Sequence, residues 1–252
     1  MTDISGATQT IEPVLEPVEP PHPRKKWATW VEILMCSGYP TQIAISSLLL
    51  AAGIVPMTPS GELNASFVFV LSLADTVLLL SLIVWLLRRR GERPLTVFFG
   101  DRPPAREIAV GIASLPLILA LVVALTLAIR RIAPSLHDVP NNPLEGLIGD
   151  HPGTIWLFLL VVIVAGGVRE ELQRAFLLHR FRGDFGQPWL GLVITSIAFG
   201  LGHTLQGRDA AVITGALGAS WGVLYLTRRS ALAPMVCHSL FNSGELLRAF
   251  LR

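Results

Sequence analysis

The sequence predicts an all-α fold: a polytopic transmembrane helical bundle of about seven spans. Hydrophobic residues make up 52% of the 252 residues and charged residues only 15%, whereas a soluble domain needs roughly a quarter of charged residues to cover its surface. The mean hydropathy is +0.58, and the apolar residues fall in long blocks near the ~20 residues that cross a hydrocarbon core. These values exclude a disordered, collagen-like or disulfide-built protein.

Seven apolar blocks follow one another along the chain and define the predicted spans. They cover residues 27–55, 66–87, 108–129, 155–178, 189–205, 210–226 and 231–247. The first block contains Glu32, Tyr39 and Pro40, so we expect it to be kinked or partly interfacial. The fourth contains the acidic pair Glu170-Glu171, and a hydropathy window alone would therefore cut this span short.

Residues 1–26 form a separate region, which we predict to be a disordered cytoplasmic tail. Prolines alternate with glutamates there, and nothing in this composition could bury a core. A signal peptide is not expected, because no apolar stretch with a small-residue cleavage site follows an N-terminal positive charge. The transmembrane bundle then occupies residues 27–252.

Basic residues flank the predicted spans unevenly and indicate their orientation. With seven crossings, the groups at 24–26, 88–106, 180–182 and 228–229 face one side, and Arg130-Arg131 face the other. Cytoplasmic loops carry the excess of Lys and Arg, so we expect an integral membrane protein, in a bacterial plasma membrane, with a cytoplasmic N-terminus. Lipid is the expected surrounding. A formal net charge of +2 gives no broad basic face and argues against a nucleic-acid partner.

Several ionisable residues lie inside the predicted spans, where each needs a partner or a function. Such a group costs at least ~2.5 kcal/mol at membrane depth on insertion scales. The candidates are Asp75, Glu170, Glu171, Arg174, His203 and His238. Asp75 lies midway along the second span, and we expect it to be a buried hydrogen-bonding group.

Three short patterns in the late spans point to hydrolytic chemistry when they are taken together. Glu170 and Arg174 are one helical turn apart, Phe199 lies one turn before His203, and His238 lies one turn before Asn242. A carboxylate that takes a proton from water, two imidazoles and an amide that donates to an oxyanion make up a hydrolytic site. Counted from the expected cytoplasmic helix ends, Glu170, His238 and His203 lie roughly 15, 12 and 21 Å deep. We therefore expect them in one cavity on the cytoplasmic half.

These motifs, in this order, resemble those of the CPBP (Abi) intramembrane proteases, which include the type II CAAX prenyl endopeptidases and bacterial bacteriocin-processing or immunity proteins. The resemblance covers residues 166–242, within a catalytic core at about 154–248. The second and third motifs match as they stand. The first departs from the family pattern Glu-Glu-xxx-Arg, because Ala175 occupies the expected arginine position. Either Arg174 substitutes from the neighbouring angle, or the catalytic carboxylate is displaced.

The resemblance implies hydrolysis of a peptide bond within the membrane, in a peptide or a prenylated C-terminal peptide. Glu170 or Glu171 would be the base, with Glu170 favoured, because the family's essential position is the first of the pair. Asn242 and one histidine would donate to the oxyanion, His203 would position the water, and Arg174 and Phe199 would support the site. A zinc site and a metal-free site both stay open. Zinc ligands would be Glu170, His203 and His238.

Two other functions remain as alternatives from the sequence. A non-catalytic immunity or partner-binding protein on the same scaffold is favoured by the shortened first motif. A small transporter or proton pathway would use Asp75 together with the histidines.

Overall fold

A computed structural model describes residues 26–140, 142–148 and 152–251 of the chain. The structure is 81% helical, and the described residues contain no β-strand, only an isolated bridge between Met57 and Leu63. The predicted all-α class is therefore confirmed. The expected tail, residues 1–26, lies outside the described residues except for Lys26, where the first helix begins.

The helices follow the predicted blocks but divide them differently. In the described ranges they are α1 (Lys26–Met35), α2 (Tyr39–Ala51), α3 (Ala65–Arg89), α4 (Pro94–Phe99), α5 (Pro104–Ile132), α6 (Pro152–Val161), α7 (Glu170–Phe185), α8 (Pro188–Leu201), α9 (Arg208–Arg228) and α10 (Leu232–Phe250). A π-helical segment, Val162–Arg169, joins α6 to α7. Short 3-10 turns occupy Pro134–Leu136, Glu145–Ile148 and Thr204–Gln206.

Three of the described helices, α3, α5 and α9, are long and apolar enough to cross a membrane. Helices α1 and α2 together form a fourth candidate, a pair bent by 42°. The structure therefore establishes fewer spans than the seven expected. Three features keep the remaining predicted spans from being long apolar helices. Helix α8 has only 14 residues, and the π segment separates α6 from α7. Helix α10 carries His238, Asn242 and Glu245 among its apolar residues.

The bend between α1 and α2 occurs where the sequence predicts a kink. Pro40 lies in the first turn of α2, and Gly38 before it has a φ of 90°. A Cβ atom at Gly38 would lie 2.9 Å from Nη2 of Arg169. Glycine is therefore needed here both for its left-handed backbone and for the close approach of that guanidinium group.

The largest apolar core surrounds α7 at the end of the bundle where the basic residues lie. It includes the buried side chains of Leu79, Ile83, Phe98, Phe176, Leu178 and Phe181. Helix α4, which lies where the sequence suggests only a basic loop, inserts Phe98 into this core. Backbone N–H of Ala231 donates to the Phe98 carbonyl at 2.6 Å, and the Tyr225 hydroxyl donates to the Val97 carbonyl at 3.0 Å. Helix α4 thereby closes the basic end of the bundle.

Ion pairs tie α1, the α3–α4 connection and α7 together at the same end. The Arg180 side chain is 1% exposed and donates to Glu32 at 2.8 Å and to Glu92 at 2.6 Å. Arg90 donates to Glu32 at 2.8 Å and to Asp184 at 2.6 Å. Partial burial opposes the ionisation of Glu92, but hydrogen bonds from His179 and Arg180 outweigh this effect and lower the pKa of Glu92 to about 2. In the same way, hydrogen bonds from Thr29 and Arg90 outweigh the partial burial of Asp184 and lower its pKa.

The low pKa of Glu92 predicts an acid-dependent contribution to stability. A carboxylate whose pKa falls from 4.5 to about 2 on folding stabilises the fold above pH 4.5, and this contribution is lost as the pH falls towards 2. Near neutral pH we expect Glu92→Gln to lower the free energy of unfolding by about 1–2 kcal/mol. The difference in melting temperature between wild type and variant, measured in detergent, should decrease towards zero as the pH falls from 4.5 to about 2.

Glu62 supplies a matched control for this measurement, because it is an exposed carboxylate in the α2–α3 connection. Glu62→Gln should leave the melting temperature unchanged across the same range. A Glu92→Gln difference that stayed constant from pH 7 to pH 2 would contradict the prediction, since it would not depend on the carboxylate charge.

Candidate functional site

Glu170 is the first residue of α7 and faces a cavity of about 480 Å³. Its side chain is 19% exposed, and its Oε2 atom lies 3.8 Å from Nε2 of His238. The residue follows directly on the π segment, a local helical distortion that is common at functional sites. Glu170 is therefore a carboxylate that water in the cavity can reach.

Glu171 has a different environment, because it is fully buried behind the cavity wall. Its Oε1 atom accepts a hydrogen bond from Nη1 of Arg174 and another from Nδ1 of His238 at 2.8 Å. Two neighbouring carboxylates thus have separate surroundings. Glu170 faces the cavity, and Glu171 is held between a guanidinium group and an imidazole ring.

Arg174 pairs with Glu171 rather than with Glu170, which lies one helical turn before it. Positions three apart on a helix are neighbours as well as positions four apart, and the buried carboxylate lies on the side where Arg174 packs. The Arg174 guanidinium carbon also lies 4.6 Å from the centre of the Phe199 ring and 5.9 Å from that of Trp221. The shortened motif therefore still delivers a buried arginine to the acidic pair, which is the first of the two possibilities that the sequence leaves open.

Two glycines of α9 make the room that this arginine occupies. A Cβ atom at Gly218 would lie 2.8 Å from the Phe199 ring, and one at Gly222 would lie 2.3 Å from Leu192 and 3.5 Å from Cδ of Arg174. A larger residue at either position would displace these side chains. The small residues of this span thus accommodate the charged group as well as the helix contact.

His238 is held on two sides. Because a carboxylate only accepts, Nδ1 of the ring donates to Glu171, and this leaves Nε2 on the side of Glu170. The ring also stacks on Trp221, with centroids 3.7 Å apart and planes 16° from parallel. Sequence reasoning missed Trp221, although its place in a small-residue helix, directly before Gly222, is a signal of close packing.

His203 lies just beyond the end of α8, against the ring of Phe199 at a centroid distance of 4.7 Å. Its Nδ1 donates to the Phe199 backbone carbonyl at 2.8 Å. The Phe199–His203 spacing therefore serves two contacts, the ring contact and the hydrogen bond. Nε2 of His203 remains available on a residue that lines the cavity.

Asn242 lines the same cavity one turn after His238 on α10. Its Nδ2 donates to the Val162 carbonyl of the π segment at 3.5 Å, a long hydrogen bond. A Cβ atom at Gly166 would lie 2.5 Å from that nitrogen, and one at Gly167 would lie 1.9 Å from the Ser239 hydroxyl. The glycine pair of the π segment is thus what lets α10 approach closely enough to place Asn242.

The structure brings Glu170, His203, His238 and Asn242 to one cavity, with Glu171 buried behind it. The sequence predicts a cavity on the cytoplasmic half, and the structure shows towards which end of the bundle the cavity runs. It extends from Glu170 towards the end opposite the basic residues, and Asn142, Gln206 and Arg248 are among its lining residues there. Residue counts from the helix ends predict that the site residues lie at a similar depth. They do not predict which end of the bundle is closed by α4.

The zinc alternative requires Glu170, His203 and His238 to converge. Among the described residues, no three His, Cys, Asp or Glu side chains form a group that could hold a metal ion. Glu170, His203 and His238 therefore do not fit a three-ligand zinc site as they are placed.

Asp75 is a buried hydrogen-bonding group, as expected, and it has a partner that the sequence analysis did not identify. Arg169, the residue before Glu170, forms a buried ion pair with it. The Thr41 hydroxyl donates to the other oxygen of Asp75. This second charged cluster joins α2 and α3 to the π segment. It therefore anchors the backbone directly before the cavity-facing carboxylate.

Comparison with known proteins finds one similar family. Residues 151–244 match the family model described as type II CAAX prenyl endopeptidase Rce1-like, a family of proteases. No curated protein matches the chain, and no solved structure does. The matched segment contains Glu170, His203, His238 and Asn242, the candidate site residues that line the cavity. The match covers less than half of the chain, and over this segment the chain is similar to the type II CAAX prenyl endopeptidases, the family that its three motifs resemble.

Proposed function

We propose that this protein is an intramembrane endopeptidase that hydrolyses a peptide bond with a water activated by Glu170. The observation that carries the proposal is the convergence of Glu170, His203, His238 and Asn242 on one cavity, at mid-depth in a helical bundle. The match of residues 151–244 to a family of proteases supports it.

Glu170 is the proposed general base. A water molecule in the cavity transfers one proton to the Glu170 carboxylate while its oxygen bonds to the scissile carbonyl carbon. His203 positions this water through Nε2, the ring nitrogen that its backbone hydrogen bond leaves available. The carbon–nitrogen bond then breaks, and Glu170 returns the proton to the leaving amine nitrogen. The base is thus regenerated in each turnover.

Asn242 and His238 are the proposed donors to the developing oxyanion. Nδ2 of Asn242 and a protonated Nε2 of His238 belong to one face of α10, and a donor of this kind is worth about 3–4 kcal/mol where it has been measured in other enzymes. Glu171 and Trp221 hold the His238 ring in place. Glu171 is therefore a positioning residue, and it also balances positive charge on the ring.

The site would function within a membrane. We propose seven crossings, in which α1 with α2 forms one bent span and α6, the π segment and α7 form another. The remaining spans are α3, α5, α8, α9 and α10. Membrane lipid surrounds this bundle in a bacterial plasma membrane, the N-terminus is cytoplasmic, and no nucleic acid takes part. The proposed substrate is a peptide or a prenylated C-terminal peptide.

The two alternative functions lose their main support in this geometry. The shortened first motif favoured a non-catalytic protein, but Arg174 still reaches the acidic pair by bonding Glu171. A transporter or proton pathway would need Asp75 to lie on the route of the transported ion, yet Asp75 is buried and paired with Arg169. Both observations favour the hydrolytic proposal.

The different surroundings of the two glutamates predict different effects of substitution. Glu170→Gln should reduce turnover at least ~100-fold and leave the melting temperature unchanged, because it removes the base from a solvent-reached position. Glu171→Gln should reduce turnover and also destabilise the fold by about 3–5 kcal/mol, because it leaves Arg174 buried without its charge partner. Cleavage of internally quenched peptides and thermal unfolding in detergent micelles measure the two effects.

Glu245 provides the matched control, since it is a cavity-lining carboxylate whose described ion pair, with Arg248, is exposed. Glu245→Gln should change turnover less than about twofold. Wild-type turnover in Glu170→Gln would contradict the assignment of the base, and a Glu171→Gln variant as stable as wild type would contradict the role of the buried ion pair.

The placement of the histidines also predicts the response to metal removal. Because the three candidate ligands do not converge, prolonged treatment with a chelator should leave turnover within about twofold of the untreated enzyme. Metal analysis of the same purified sample should give much less than one zinc per chain. Loss of turnover on chelation, restored by added zinc, would overturn this prediction.

A further inference from the structure

The two ends of the bundle differ in charge. The end at which α3, α7 and α9 finish and α5, α8 and α10 begin carries most of the described basic residues: Lys26, Arg88, Arg89, Arg90, Arg93, Arg102, Arg106, Arg180, Arg182, Arg228 and Arg229. The opposite end carries Arg130, Arg131, Arg208 and Arg248. Two of these, Arg208 and Arg248, pair with Asp138 and Glu245. By the positive-inside rule, the first end faces the cytoplasm.

The cavity extends to the end that has few basic residues. From Glu170, Trp221 and His238 at mid-depth, its wall continues along the N-terminal half of α9 and the C-terminal half of α10. It reaches the connections beyond the helices at Asn142 and Gln206. Glu245 and Arg248, with side chains 43% and 44% exposed, lie on this wall near the end of α10. The mouth of the cavity is therefore on this side.

The basic end is closed by contrast. Helix α4 covers it with Phe98 buried, and the Ala231 N–H bonds the Phe98 carbonyl. Next to α4, the nearly buried Arg180 joins Glu32 to Glu92. None of these residues lines the cavity. A peptide arriving from the cytoplasm would have to displace both the apolar core around α7 and this ion-pair cluster.

We propose that the cavity opens on the extracytoplasmic side, and that its substrate is a peptide segment presented at the outer surface of the membrane. This inference rests on the proposed function for the identity of the substrate as a peptide. The side of the membrane on which the cavity opens is inferred independently, from the charge asymmetry and the position of the mouth. Apolar residues such as Phe158, Leu217 and Phe241 line much of the cavity, so the segment enters with apolar side chains and reaches Glu170 from outside.

Cysteine accessibility in intact cells tests the sidedness. The native cysteines Cys36 and Cys237 are fully buried, so the wild type is the unlabelled reference. Gln206→Cys places a thiol at the mouth, and Thr214→Cys places one deeper on the cavity wall. Leu95→Cys places one on α4 at the closed end, where the side chain is 72% exposed. The full-length chain is produced in the inner membrane of bacterial cells, whose outer membrane is then removed, and a sulfonated, membrane-impermeant maleimide is added.

We expect Gln206→Cys and Thr214→Cys to take up about tenfold more label than the wild type in intact cells, and Leu95→Cys to do so only after permeabilisation. The reverse pattern would overturn the proposal. So would labelling of Gln206→Cys without Thr214→Cys, or labelling of neither, because the cavity would then not be open to the outside. Labelling needs no catalysis, so this result is separate from that of Glu170→Gln, which tests the chemistry.

Discussion

The buried cluster of Glu171, Arg174 and His238 is the constraint on which the rest of this structure depends. A charge inside a helical bundle is costly unless it is paired and hydrogen-bonded. Here one carboxylate oxygen accepts from both basic side chains, and the guanidinium group also packs against Phe199 and Trp221. These contacts join α7, α8, α9 and α10. The pairing that makes the charges tolerable thus also fixes the wall of the cavity.

Small residues complete that arrangement by letting backbones approach. Gly218 and Gly222 leave space beside Arg174, and Gly166 and Gly167 bring the π segment against α10. Polar groups in the interior and glycines on the facing helices are therefore two parts of one packing solution. A bundle of larger side chains could hold the same charges only with wider helix spacing, and Asn242 would then lie farther from Glu170.

The sequence predicts the helical class, the kink near Pro40 and the residues that meet at the cavity, because apolar block length and one-turn spacing are local properties of a helix. It does not predict that Arg174 pairs with Glu171, since positions three and four apart are equally close on an isolated helix. Contacts between distant segments determine the packing of Trp221, the Asp75–Arg169 pair and the position of helix α4. They also determine towards which end of the bundle the cavity opens. Spacing along one chain segment contains no information on such contacts.

The π segment Val162–Arg169 has a consequence for how related chains should be aligned. A π turn holds more residues than an α turn, so converting the segment to α geometry at unchanged length would rotate the residues before it by roughly 100° relative to α7, whereas deleting one residue would nearly preserve their orientation. Relatives that lack the bulge would need a gap within these positions. An alignment that forbids this gap would equate Glu170 with the wrong one of two neighbouring acids, although their environments are opposite.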